Sequence, residues 1–344
     1  MRRPEAPLLA AARPVILVDG RRRSDVEAAL LVMDMRLPRH GIAHAELRLL
    51  AAPARGVFPF ADIAHGARLA VAYDTAGSAP VFEGEVTAVE IRMSDGPPEL
   101  SLLAEDPLHR LAREMTPRSF TDVRADDVVA ALAHSAGLQA DTTLGGPVET
   151  FVKGAESDLA FLLRMISGRG ATLRVERGRV RAGSEATDPA PLTIDARALR
   201  ELRVIADLNW LPGATTVRGW NLAEAVSVEA TAAPAPARQP QLQSGAALAE
   251  QLGWGANYIL PRDFVDAMEA DAIGDAHVTA AADRFLHGEI VGSERKLVPG
   301  AAVEIAGIDP RFGGLYRVGD CRHRFSISDG FVVRARISRP DWRP

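Results

Sequence analysis

Phe151-Val-Lys-Gly-Ala-Glu-Ser-Asp-Leu-Ala-Phe-Leu-Leu-Arg-Met-Ile-Ser-Gly-Arg-Gly170 reads as a strand end, a glycine turn, a capped helix and a glycine stop. Ser157 or Glu156 can cap the helix start, and Asp158 suits the positive end of its dipole. Leu159, Leu162, Leu163 and Ile166 recur at helical spacing and give one apolar face. Gly168 and Gly170 end the helix. Thr172-Leu-Arg-Val-Glu-Arg-Gly-Arg-Val-Arg181 follows as a short hairpin. By itself the stretch predicts a helix packed on a β-ribbon, with no chemistry attached.

Working towards the N-terminus, residues 14–112 read as all-β. Pro14–Gly20 is a short strand closed by an Asp-Gly turn. Ala28–Leu37, Ala45–Leu50, Arg68–Asp74, Val81–Met93 and Glu99–Glu105 are further strands. The longest places Thr87, Val89, Ile91 and Met93 on one face. Several short strands with turn signals between them predict a barrel or sandwich. Asp126–Gly137 is a helix with acids at its start and a glycine stop.

Beyond the central stretch, a second β region runs through Leu199–Ala206, Ala214–Trp220 and Ala225–Glu229. Ala233–Pro240 breaks regular structure. Ala276–His287 is the clearest helix of a mixed segment. The chain closes with strands at Pro299–Gly307, Gly314–Ile327 and Gly330–Ile337. The expected plan is mainly β with α/β inserts. A first β-barrel spans 14–112 and an α/β insert 113–192. A second barrel comprises 193–237 plus 289–344, interrupted by a helical insert at 238–288. No sequence repeat between the two barrels is visible.

Glu156–Arg164, followed by a glycine and a strand, resembles the phage late-control protein D family and the hub half of type VI secretion VgrG proteins. Leu297-Val-Pro-Gly-Ala-Ala-Val-Glu-Ile-Ala-Gly307, Phe312-Gly-Gly-Leu-Tyr-Arg-Val318 and His323 resemble that family's closing pattern. Phe82-Glu-Gly-Glu-Val86, Ser119-Phe120, Asp127-Val-Val129 and Gly137-Leu138 are similar to it too. The matches run in order from about residue 80 to the C-terminus. The resemblance implies two tube-protein-like antiparallel β-barrels per chain, and a homotrimeric ring acting as a baseplate hub. Such a hub would join a hexameric inner tail tube to a separate trimeric spike, with baseplate wedge proteins around it. It would be made in the cytoplasm and assembled into a phage tail or injection particle. The chain stops at Pro344, which under this resemblance leaves the spike to another protein.

Composition sets the remaining bounds. The 344 residues are 47% hydrophobic and 25% charged, an ordinary globular balance with length for about two domains. No apolar run approaches the ~20 residues that cross a bilayer. Pro4, Glu5, Pro7 and Arg13 spoil the N-terminal imitation of a signal peptide. A net charge of −5 argues against a general nucleic-acid binder. Lys153 and Lys296 are the two lysines, so positive charge is carried by arginine, whose planar fork suits interface ion pairs. The single cysteine, Cys321, excludes an internal disulfide.

No catalytic, cofactor or metal site is expected. His40 and His44 stand four apart, but Pro38 and Gly41 argue against the helix that would align them. There is no nucleophile elbow, P-loop or paired-histidine zinc motif. Arg322, Arg324, Arg334 and Arg336 are the candidate contacts. They share one face of the final hairpin, as a solvated surface, a subunit contact or a charged lumen wall. The alternative function, a cell-wall glycan hydrolase at a particle's tip, requires paired carboxylates in a cleft. A plain tube subunit would need about half this length.

Overall fold

The structure is a computed structural model that describes residues 13–344 apart from 55, 74–78, 168, 185–189, 210, 213, 223, 240, 255–256 and 262–264. The reading of residues 1–12 against a signal peptide lies outside the described residues, as do Gly168 of the helix stop and residues 188–189.

The first β region contains β1 (Val15–Val18), β2 (Arg21–Arg22), α1 (Ser24–Ala29), β3 (Leu30–Leu37), β4 (His44–Leu50), β5 (Arg68–Ala72), β6 (Phe82–Arg92) and β7 (Glu99–Glu105). Asp19 and Gly20, both at positive φ, form the two-residue loop between β1 and β2, as the Asp-Gly signal predicts. Ala28 and Ala29, expected to open the β3 strand, instead finish α1.

A 3-10 turn at Pro107–Ala112 leads into the insert. It holds β8 (Arg118–Val123), α2 (Ala125–Ser135), β9 (Gln139–Thr143), β10 (Glu149–Lys153), α3 (Asp158–Ser167), β11 (Thr172–Glu176) and β12 (Arg179–Gly183). Ser157 caps α3 by accepting from the Ala160 N–H at 3.1 Å. Leu159, Leu162 and Ile166 are buried against α2, β11 and β12 in a core of the insert's own. Asp158 does more than favour the helix dipole. It is buried and paired with buried Lys153, whose ammonium also donates to the Thr116 carbonyl at 2.9 Å. His40 Nδ1 accepts from the Leu173 N–H at 2.9 Å and joins the insert to the end of β3; burial holds its pKa below the usual histidine value.

The remaining elements are β13 (Leu192–Asp195), β14 (Glu201–Ala206), β15 (Thr215–Asn221), β16 (Val226–Ala232), β17 (Gln243–Ser244), α4 (Gly245–Gln251), β18 (Asn257–Ile259), α5 (Ala267–Ala282), β19 (Leu286–Gly292), β20 (Ala302–Ala306), β21 (Gly314–Ser326), β22 (Gly330–Arg339) and β23 (Asp341–Trp342). Two expectations are corrected. α5 begins at the Asp266 cap, which accepts from the Glu269 N–H at 2.8 Å, and ends at Ala282, so Leu286 and His287 belong to a strand. β15 and β16 do not join the second barrel. β15 pairs with β16 on one side and β18 on the other in a separate sheet, whose Val217 and Val228 pack with Val265 and α5's Ala270.

Both β regions belong to one 13-stranded sheet, in the order β14-β19-β22-β21-β3-β4-β7-β6-β5-β1-β2, with β20 and β13 branching from β21. The sheet repeats itself. β3-β4-β7-β6-β5-β1 and β14-β19-β22-β21-β20-β13 have the same strand order and the same chain order. Their ladders are antiparallel throughout except β13–β20, which is parallel. Both long strands carry a bulge, between Val86 and Ala88 in β6 and between Val318 and Cys321 in β21.

Aligned through these ladders, a short sequence repeat emerges. Gly66-Ala-Arg-Leu-Ala-Val-Ala72 matches Gly300-Ala-Ala-Val-Glu-Ile-Ala306. Gly66 and Gly300 have φ of 84° and 86°, a left-handed backbone that favours glycine. Each donates to the strand opposite, Gly66 to the Val86 carbonyl at 2.8 Å and Gly300 to that of Val318 at 2.9 Å. The two units share one core containing Met33, Met35, Leu47, Leu102, Ile290, Val303 and Val333.

Removing the Lys153 cation leaves a carboxylate buried without its partner. Lys153→Met should therefore cost about 3–5 kcal/mol of the insert's stability, while Lys153→Met with Asp158→Leu should recover most of it. Hydrogen exchange of the α3 amides checks both outcomes.

Candidate assembly surface

The two units meet where the second half of β21 pairs with β3, from Cys321 opposite Leu37 to Ser326 opposite Val32. Side chains alternate across this ladder. Cys321, His323 and Phe325 point inward and are 3%, 0% and 2% exposed. Burial also raises the Cys321 thiol pKa, which suits an inert core thiol.

His323 locks the seam from within. Its Nε2 lies 2.7 Å from the Leu297 carbonyl, and its Nδ1 lies 2.8 Å from the Tyr73 hydroxyl. A carbonyl can only accept, so Nε2 carries the proton and Nδ1 accepts from the tyrosine. This arrangement fits a neutral ring, and burial lowers its pKa to about 4. Phe331 packs edge-on to both rings, and the Arg295 guanidinium lies 5.6 Å from the Tyr73 ring centroid.

Arg322, Arg324, Arg334 and Arg336 all point to the opposite, exposed face, as their alternation predicts. Arg322 forks onto Asp34 of β3, with Nε 2.8 Å from Oδ1. Arg334 reaches Glu289 of β19 at 2.8 Å, and Arg336 reaches Asp320 at 3.2 Å. Arg36 lies directly across from Arg322. Asp34, Glu289 and Asp320, which complete this charged face, were not singled out in the sequence. Their signal was single acids in alternating strands, meaningful only once register is known. Exposed pairs of this kind contribute little stability.

A cleft of roughly 780 Å³ opens between the first unit, the insert and the 298–301 loop. Its charged side chains largely face one another: Arg181 lies 3.6 Å from both Asp141 and Glu176, and Arg174 pairs with Glu176. Asp106 accepts from the Ala43 and Leu108 N–H groups at 2.8 and 2.9 Å. Burial pushes its pKa up to about 7. The Asp106 carboxylate thus serves as a cap joining two segments. His44 lies 3.4 Å from Glu105. Among the described residues no group of His, Cys, Asp and Glu is arranged to hold a metal ion. No helix among them is long and apolar enough to cross a membrane.

Residues 56–327 match the profile of the Alg8 N-terminal domain. The chain belongs to the Alg8 N-terminal domain family. This is a different family name from the late-control D resemblance of the sequence. No curated protein matches the chain. The fold of this family member is similar to the 43 kDa tail protein of prophage MuSo2 from Shewanella oneidensis, with a TM-score of 0.70 and 12% identity. That likeness covers 95% of this chain and 98% of that one. A tail protein from Neisseria meningitidis MC58 follows at a TM-score of 0.68 and 13% identity, over 95% and 96% of the two chains. An E. coli component of the type VI secretion system, itself described as similar in structure to T4 bacteriophage tail proteins, gives 0.58 and 11%, over 96% and 77%. At these identities the likeness is one of fold.

The His323 contacts set a pH dependence. Its pKa falls from an ordinary value of 6.5 to about 4 on folding. Its contribution is therefore complete above pH 6.5 and is lost as pH falls towards 4. Asp106, raised from 3.8 to about 7, acts in the opposite sense and loses its contribution as pH rises through 7. Comparison with His323→Gln isolates the histidine. Between pH 7.5 and pH 5 the wild type should lose about 2 kcal/mol relative to the variant in urea unfolding.

Proposed function

We propose that this chain is a structural component of a contractile tail or injection particle, a homotrimeric hub joining an inner tube to a separate spike. The observation that carries the reading is the duplicated unit. A chain holding two tandem copies of one β unit presents six equivalent units when three chains close into a ring. Such a ring meets sixfold and threefold partners at once. The likeness to tail proteins supports it, because it spans 95% of the chain and so includes both units and the insert.

Arg322, Arg324, Arg334 and Arg336 lie in the middle strands of the sheet, away from its ends. A mid-sheet charged face suits a wall along the ring's channel rather than an edge contact between chains.

Light scattering on the purified protein should give a mass near three times 36.8 kDa, and the protein should bind an inner-tube protein and a spike protein of the same particle. A monomer at all concentrations, indifferent to both, would overturn the reading. Arg334→Glu with Arg336→Glu should leave the ring's mass unchanged and weaken tube binding more than tenfold. Loss of the ring in that variant would assign the face to the subunit contact instead.

A further inference from the structure

The duplicated sheet is incomplete at one place in each unit. In the second unit, β21 pairs β22 along one side. On its other side its first half pairs β20, and beyond the bulge its second half pairs β3 of the first unit. In the first unit, β6 pairs β7 along one side and β5 over Phe82–Glu85 on the other. Beyond its bulge, Ala88–Arg92 has no strand on that side among the described residues. The strand equivalent to β3 is β14, and it forms the open end of the sheet. Each chain thus carries one seam made, and both halves of a second seam unmade.

Side-chain exposure marks the same vacancy. Through the ladders, Val89, Ile91 and Met93 correspond to Cys321, His323 and Phe325. The latter three are buried by the seam, whereas Ile91 and Met93 are 51% and 66% exposed. An alternating apolar edge left in water is a template for another strand. On β14, Leu202 and Val204 correspond to Met33 and Met35 of β3, which are fully buried in the made seam.

We propose that β6 beyond its bulge pairs antiparallel with β14 of a second copy of this chain, in the register of the β21–β3 seam. Ile91 then faces Val204, and Met93 faces Leu202. The occupant is a second copy because the chain already builds this joint between its own two units, and only the same chain supplies both unmade halves. A heterologous contact of this type closes into a ring or runs on as a filament. That the ring holds three chains rests on the function proposed above.

Facing residues of an antiparallel pair lie about 4.5–5.5 Å apart at Cα, within disulfide reach. Ile91→Cys combined with Val204→Cys should therefore cross-link under mild oxidation into a species three times the chain's mass on denaturing gels. Neither single variant should do so, and Ile91→Cys with Ile205→Cys, one residue out of register, should not. Trimers of the wild type, with no cross-link in the Ile91→Cys, Val204→Cys variant, would overturn this joint and leave the hub reading standing. Equal cross-linking in the out-of-register pair would overturn the register. A wild-type chain that stays monomeric would overturn both readings.

Discussion

The pairing of β21 with β3 is the constraint on which the molecule depends. It joins strands nearly 300 residues apart and turns two β units into one sheet with one core. Its inner side is sealed by His323, Tyr73 and Phe331, and its outer side by arginine–carboxylate pairs. The inner contacts carry the stability, since they are buried and directional. The outer pairs sit in water and contribute mainly charge and shape.

Given that seam, the other segments have defined tasks. The insert keeps its own core and is tied to the first unit by His40, while the buried Lys153–Asp158 pair holds the segment just after the connecting turn through the Thr116 carbonyl. Asp106 caps that turn and binds the start of β4 through the Ala43 N–H. The sheet of β15, β16 and β18 with α5 fills the long connection between β14 and β19. In the first unit, six residues join the equivalent strands β3 and β4. A tight turn in one copy has become a small domain in the other, with the ladder on either side unchanged.

Much of this was legible in local pattern. Alternation marked Val81–Met93, Pro299–Gly307 and the final hairpin as strands, and it put Arg322, Arg324, Arg334 and Arg336 on one face. The helix at 158–167 was legible from Ser157, its leucine spacing and Gly170. Two assignments failed for one reason: β15 and β16 look like any other alternating strands, and alternation does not say which sheet a strand joins. α5 was read too late because its first turns carry no strong apolar stripe, and its start depends on the Asp266 cap.

The sequence by itself determined the mainly β class, the helix at 158–167, the Asp-Gly turn after β1 and the absence of familiar catalytic motifs, because each follows from contacts within a few residues. Only the tertiary structure decided that Gly66–Ala72 and Gly300–Ala306 are copies, that Lys153 meets Asp158 out of reach of water, and that Ile91, paired with β7 on one side, has no strand on its other side among the described residues. Those facts depend on register between distant segments. Register is set by shared burial across the sheet, and no short window of sequence contains it.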